Sequence, residues 1–137
     1  MLPSGLPEEI GSEESLARFR TQSSHFNSRM VKPAAFLPSP MWRETSVSRH
    51  GREPRSVLWE LGRHAAGTRP LHGAAILRAD AVRAARLEVR ADEPPPRHAA
   101  IRGWPWIEND ADLQKARQKE LAILLAGAAG VPLLVDS

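Results

Sequence analysis

Residues 87–106 read LEVRADEPPPRHAAIRGWPW. The segment from Leu87 to Asp92 alternates apolar and charged side chains, which predicts a half-buried strand. The three prolines that follow have no amide hydrogen, so the strand should end before Pro94. We predict that residues 94–106 form a stiff, polyproline-like connection to the last helix. Ile101 and Trp104 should anchor this connection in the core.

The segments around this stretch predict an α+β domain with a small three- or four-stranded sheet, helices mainly on one face and a long C-terminal helix. The predicted strands are residues 34–37, 45–49, 72–78 and 87–92. The predicted helices are residues 12–20, 54–61, 80–85 and 110–128. Gly62 is a natural stop for the second helix, and Gly67 is the alternative stop if that helix continues through Ala66. Residues 1–11 read as a flexible N-terminal arm, and residues 12–137 as a single domain.

The last helix has two different halves. Its first half is amphipathic, whereas residues 121–129 are apolar almost all round, which predicts burial from several sides. Packing across a dimer or against a partner is the alternative for this half-helix and for the apolar tail, residues 133–135. The predicted core comprises Leu16, Phe19, Val47, Leu58, Leu61, Ile76, Val82, Leu87, Val89, Ile101, Trp104, Leu113, Leu121, Ile123, Leu124 and Leu125.

The composition excludes several classes of protein. The 137 residues include no cysteine, so disulfide frameworks, cysteine-ligated metals and thiol catalysis are excluded. The first residues lack the basic and apolar segments of a signal peptide, and no apolar run approaches the ~20 residues that span a bilayer. The sequence therefore predicts a soluble, cytoplasmic protein without a membrane partner. The Ala-rich and Arg-rich composition is typical of a GC-rich bacterial genome.

The basic residues concentrate in the middle of the chain. Residues 42–106 carry twelve Arg against seven acids, for a net charge of +5, while the whole chain has a net charge of +3. This block is the electrostatic candidate for an anionic partner, because Arg neutralises phosphate and exposed Trp can stack on bases. The acids interleaved with these arginines fit a solvated surface of mixed charge equally well. The candidate binding surface comprises Arg97, His98, Arg102, Trp106, Arg78, Arg83, Arg86 and Arg90.

Catalytic and cofactor motifs are absent from the sequence. There is no glycine-rich phosphate loop and no nucleophile elbow, so we expect no cofactor. The five histidines show no metal-ligand spacing. They are His25, His50, His64, His72 and His98. An enzyme using His98 or His64 is the weakest hypothesis, and a hydrogen bond from His98 to the backbone is the simpler reading.

We therefore expect a small intracellular bacterial interaction or accessory protein without catalytic activity. Its partner would be an unknown protein or a second copy of the chain. An Arg-mediated nucleic-acid-binding protein is the alternative.

Overall fold

The computed structural model describes residues 2–22, 29–50 and 53–135. The α+β fold and the long C-terminal helix are confirmed. The described strands are β1 (Ser15–Arg20), β2 (Thr45–Arg49), β3 (Gly73–Arg78), β4 (Glu88–Ala91), β5 (His98–Arg102) and β6 (Leu133–Leu134). The described helices are α1 (Arg55–Ala66), α2 (Ala79–Ala84) and α3 (Ala111–Ala129), and a short 3-10 turn spans Pro33–Phe36.

The strands form one antiparallel sheet in the order β4-β5-β2-β1-β3-β6. The sheet therefore has six strands rather than three or four. β1 and β2 lie at its centre, and β1 pairs with β3 along its full length, from Ser15 opposite Arg78 to Arg20 opposite Gly73. The predicted strands β2, β3 and β4 and the predicted helices α2 and α3 are confirmed to within one or two residues.

Helices cover both faces of the sheet. Leu16 and Val47 belong to an apolar cluster that α2, α3 and the 3-10 turn complete. Ala17 and Phe19 point to the other face and pack with Leu58 of α1. Two of the three helices thus share one face, and α1 lies on the opposite one. α1 runs on to Ala66, and Gly67 follows with a φ of 63°, so the later of the two predicted helix ends is confirmed.

The predicted helix over residues 12–20 is wrong, because this segment contains the central strand β1. Leu16 is buried on one face of the sheet, and Ala17 and Phe19 are buried on the other. A strand that is covered on both faces has no polar side to alternate with its apolar one. Its apolar residues therefore resemble one side of a short helix.

The predicted strand over residues 34–37 is also wrong. Pro33 occupies the first position of the 3-10 turn, where a missing amide hydrogen costs nothing. Ala35 and Phe36 are buried against α3. The Thr45 hydroxyl donates to the Phe36 carbonyl oxygen at 2.7 Å, which ties this turn to the start of β2. Ala35 and Phe36 therefore pack under α3 and do not belong to the sheet.

The predicted connection over residues 94–106 contains a strand. Val89 of β4 lies opposite Ile101 of β5, so the prolines form the turn of an antiparallel hairpin and not a polyproline-like path. The peptide bonds before Pro94 and Pro95 are cis, and Arg97 has a φ of 66°. The expected anchoring is confirmed, because Ile101 and Trp104 are 0% and 3% exposed.

The predicted arm, residues 1–11, contacts the domain at several points over its described part, residues 2–11. The Ser4 amide and hydroxyl donate to the Glu93 carboxylate. Ile10 is buried, and its carbonyl oxygen accepts from Nη2 of Arg83 at 2.5 Å. These contacts place the segment beside the end of β4 and the last turn of α2.

We expect Gly73→Ala to detach β6 from the sheet. A Cβ atom at Gly73 would lie 2.3 Å from the Leu133 carbonyl oxygen, closer than any non-bonded contact allows. Moving backbone rather than a side chain to relieve this clash should cost about 1–3 kcal/mol of unfolding free energy. Urea denaturation measures the loss. Gly11→Ala is the matched control, because its Cβ would meet nothing within 4 Å, and an equal effect of both changes would contradict the expectation.

Candidate interaction surface

The long helix α3 begins at a well-formed cap. Asp110 precedes it, and the Asp110 carboxylate accepts from the Leu113 amide at 3.0 Å. Asp112 adds a second acid to the first turn, where the helix dipole favours negative charge. Asp110 is therefore the capping residue, and Asp112 adds the favourable charge of the first turn.

The inner side of α3 is fixed to the domain by apolar and polar contacts. Ala122, Leu125 and Ala126 are buried in the main apolar cluster. Nearer the N-terminus, Nε2 of Gln118 donates to the Pro105 carbonyl oxygen at 2.9 Å, and Oε1 of Gln114 accepts from the Ile107 amide at 2.7 Å. These contacts determine which side of the helix is turned outward.

The outer side of α3 carries apolar residues that the sequence placed in the core. Leu113, Ile123 and Leu124 are 41%, 50% and 57% exposed. Their predicted burial is wrong because the sheet covers only one side of the helix. Within the described residues, no element packs over the other side. An apolar residue on every side of a helix had indicated burial from several sides.

Two charged residues lie between the exposed leucines. Leu113, Arg117, Glu120 and Leu124 follow one another at spacings of four, three and four residues, which places all four on one side of the helix. Nη1 of Arg117 lies 3.9 Å from the Glu120 carboxylate, and both side chains are mostly exposed. We call these four residues the α3 outer stripe.

Further apolar surface adjoins the C-terminal end of this helix. Met30 is 55% exposed and Val131 is 70% exposed. They line an apolar groove of about 410 Å³ together with Ile123 and Ala126. Contiguous exposed apolar surface of this kind is typical of a contact site between proteins.

The eight candidate residues named from the sequence do not form one surface. Five of the six arginines in this set contact an acid or a carbonyl oxygen of the domain. Arg78 contacts Asp80 at 2.7 Å, Arg90 contacts Glu88 at 3.3 Å, Arg97 contacts Glu53 at 2.8 Å, Arg102 contacts Glu44 at 2.9 Å, and Arg83 donates to the Ile10 carbonyl oxygen. Arg86 is exposed and has a φ of 64°.

Only part of the set lies close together. Arg83, Arg90 and Arg102 line one shallow groove, which Glu8 and Glu9 also line. Arg78 lies at the end of β3, on the opposite side of the sheet order from β4 and β5. The arginines are therefore mainly links within the domain, and acids accompany those that share a groove.

The loop before β2 carries an exposed aromatic group that the sequence reading missed. Trp42 is 72% exposed and Met41 is 78% exposed. Beside them, the Arg43 guanidinium lies 4.9 Å from the centre of the half-buried Trp106 ring. The signal was the run of prolines 38 and 40 before a tryptophan, which marks a loop and not a core element.

The two histidines of the enzyme hypothesis occupy different environments. His64 is exposed on α1. His98 is mostly buried, and its Nδ1 lies 2.8 Å from the Asp92 carbonyl oxygen and 3.5 Å from the Asp92 carboxylate. A carbonyl oxygen only accepts, so Nδ1 carries the hydrogen, which is the backbone bond expected of His98.

Neither a metal-binding cluster nor a membrane-spanning helix is present within residues 2–22, 29–50 and 53–135. In those ranges, no group of three His, Cys, Asp or Glu residues could hold a metal ion. His25 lies outside them. No helix in the same ranges is long and apolar enough to cross a bilayer.

Comparison of the chain with protein-family models, with curated proteins and with solved structures finds no match in any of the three.

Proposed function

We propose that this chain is a small interaction protein without catalytic activity, and that the α3 outer stripe binds a second copy of the chain. The observation that carries the proposal is the exposure of Leu113 and Leu124 on a helix whose other side is packed into the core. When another apolar surface covers exposed leucines on an ordered helix, the burial of apolar area stabilises the association.

The order of residues in the stripe favours a second copy as the occupant. Two α3 helices that pack antiparallel about a two-fold axis between Arg117 and Glu120 place each Leu113 against the partner's Leu124. The same axis places each Arg117 against the partner's Glu120. One surface thus supplies both halves of an apolar contact and both halves of an ion pair, as an isologous interface requires. The alternative of an Arg-mediated nucleic-acid interface has less support, because most of the central arginines already contact an acid or a carbonyl oxygen.

The charge pair gives a sharp test of this arrangement. We expect Glu120→Arg to weaken self-association by about tenfold or more, because it sets Arg117 against an arginine of the partner in both symmetric contacts. Arg117→Glu with Glu120→Arg should restore association, since it exchanges the two charges and recreates the pair. Sedimentation equilibrium over a range of protein concentrations measures the self-association of the wild-type protein and of both variants.

The controls separate this effect from folding and from net charge. Arg55→Glu lies on α1, is exposed, and alters the charge by as much in the opposite sense, so it should leave association unchanged. Leu124→Ala should weaken association without unfolding the chain, because Leu124 is 57% exposed. A wild-type protein that stays monomeric at millimolar concentration, or a double reversal that behaves like the single one, would count against the proposal.

A further inference from the structure

The sheet opens between its two central strands. β1 and β2 pair only at Leu16 opposite Arg49 and Ala17 opposite Ser48. β2 remains paired with β5 as far as Thr45, and β1 remains paired with β3 as far as Arg20, so the two halves of the sheet separate beyond Ala17. The backbone groups of β2 on that side therefore need partners other than β1.

The Arg18 side chain enters this opening. Its Nη1 donates to the Ser46 carbonyl oxygen at 3.0 Å, and its Nε donates to the Ala35 carbonyl oxygen at 2.7 Å. Ser46 would have faced β1 in a continued ladder, so the guanidinium replaces a backbone donor. Neither bond involves Nη2 of Arg18. The two bonds hold the planar guanidinium in one orientation.

A cleft of about 340 Å³ lies beside this guanidinium, where the two strands separate. Ala65 and Arg69, at the C-terminal end of α1, form one wall. The other lining residues are Phe19, Thr21, Gln22, Ser46, Val47, Ser48, Pro95 and His98. Within the described chain, the cleft is thus lined by two arginines, one histidine and three hydroxyl-bearing residues, and none of its lining residues is acidic.

The electrostatics of the cleft favour a negative charge. Burial and, to a smaller extent, the nearby positive charge of Arg69 lower the pKa of Arg18 to about 10. The Arg18 guanidinium is nevertheless charged at neutral pH. The acceptors of Arg18 are neutral carbonyl oxygens, and neither of them balances the charge of the guanidinium. An anion in the cleft would supply that balance.

We propose that this cleft binds a small organic anion whose carboxylate or phosphate lies between Arg18 and Arg69. Phe19 provides an apolar wall for the body of such a ligand, and the Ser46 and Ser48 hydroxyls provide polar contacts beside it. The volume is that of a site for a small molecule and not for a polymer. His98 lies opposite Ser48 across β2 and β5, with its Nδ1 already held by Asp92.

The test is a titration followed by amide chemical shifts, with phenyl phosphate and benzoate as anionic probes and benzyl alcohol as the neutral probe. We expect saturable shifts at the amides of Arg18, Ser46 and Ala65 for at least one anion. Phenyl phosphate alone, benzoate alone, or both would each support an anion site and would show which group it prefers. Benzyl alcohol should bind at least about tenfold more weakly, because it cannot form a charge-assisted hydrogen bond.

Two arginines on the C-terminal side of α1 give a matched pair of variants. Arg69→Gln should weaken binding of the anion at least about fivefold, since it removes one of the two charges that face the ligand. Arg63→Gln removes an exposed arginine of the same helix that does not line the cleft, and should leave binding unchanged. Both residues are exposed, so neither change should unfold the domain. The proposal is overturned if no probe saturates these shifts at millimolar concentration, or if the two variants bind equally well.

Discussion

Replacement of Phe36 by Ala is expected to lower the free energy of unfolding by about 4 kcal/mol. Phe36 is 0% exposed and belongs to the main apolar cluster, where its 3-10 turn packs against α3. Truncation removes a buried ring and leaves a cavity under the helix. The surrounding backbone is fixed by the Thr45 hydroxyl bond to the Phe36 carbonyl oxygen, so little collapse can offset the loss.

The neighbouring residue provides the control for this measurement. Leu37 is 37% exposed, and Leu37→Ala should cost less than about 1 kcal/mol. Urea denaturation followed by tryptophan fluorescence gives both values under identical conditions. Equal costs at the two positions would mean that the 3-10 turn does not support α3.

A second large loss is expected for Glu14→Ala. Arg49 is 1% exposed, and its guanidinium donates to both Glu14 carboxylate oxygens and, at 2.6 Å, to the Pro7 carbonyl oxygen. Removal of the carboxylate leaves a buried charge with no counter-ion, which costs about 3–5 kcal/mol. Thermal unfolding should show a decrease of about 10 °C or more in Tm.

Two further variants distinguish the buried pair from a simple loss of charge. Glu13→Ala alters the adjacent exposed residue and should change Tm by little. Glu14→Ala combined with Arg49→Met should recover much of the stability, because an apolar side chain then fills the buried site beside Leu16. If the double variant were less stable than Glu14→Ala alone, the ion pair would not be the source of the loss.

The sequence predicted those elements whose local pattern matches their surroundings. Leu87–Asp92 alternates because β4 is an edge strand with Glu88 and Arg90 in solvent. α3 was predicted from its capping acids and its length, and these features depend only on the helix itself. Ile101 and Trp104 were correctly placed in the core, since large apolar residues are usually buried.

The prediction failed for elements whose pattern of apolar residues depends on what packs against both of their sides. β1 and β5 are inner strands, and helix or sheet neighbours determine which of their residues need be apolar. Ala99 and Ala100 are both fully buried in β5, so no alternation marks it as a strand. The prediction for the outward side of α3 failed for the opposite reason, because its leucines indicated burial that no other described element provides.

The candidate sites were harder to predict from the sequence than the secondary structure was. The arginines of the central block were conspicuous by number, but the acids that bind them come from distant segments, such as Glu44 for Arg102 and Glu53 for Arg97. The cleft beside Arg18 combines β1, β2, α1 and the hairpin turn. It depends on the place where two strands separate, and no spacing within one segment encodes that.

The strands at the centre of the sheet are also the first to leave the ribosome. β1 and β2 share only two residue pairs, so neither has a firm partner until β3 and β5 have been synthesised. The apolar face that α3 covers stays open for longer still, because that helix follows every strand except β6. A nascent chain that pauses before residue 111 therefore presents Leu16, Val47 and Leu77 together, and this is the stage at which chaperones should bind it most strongly.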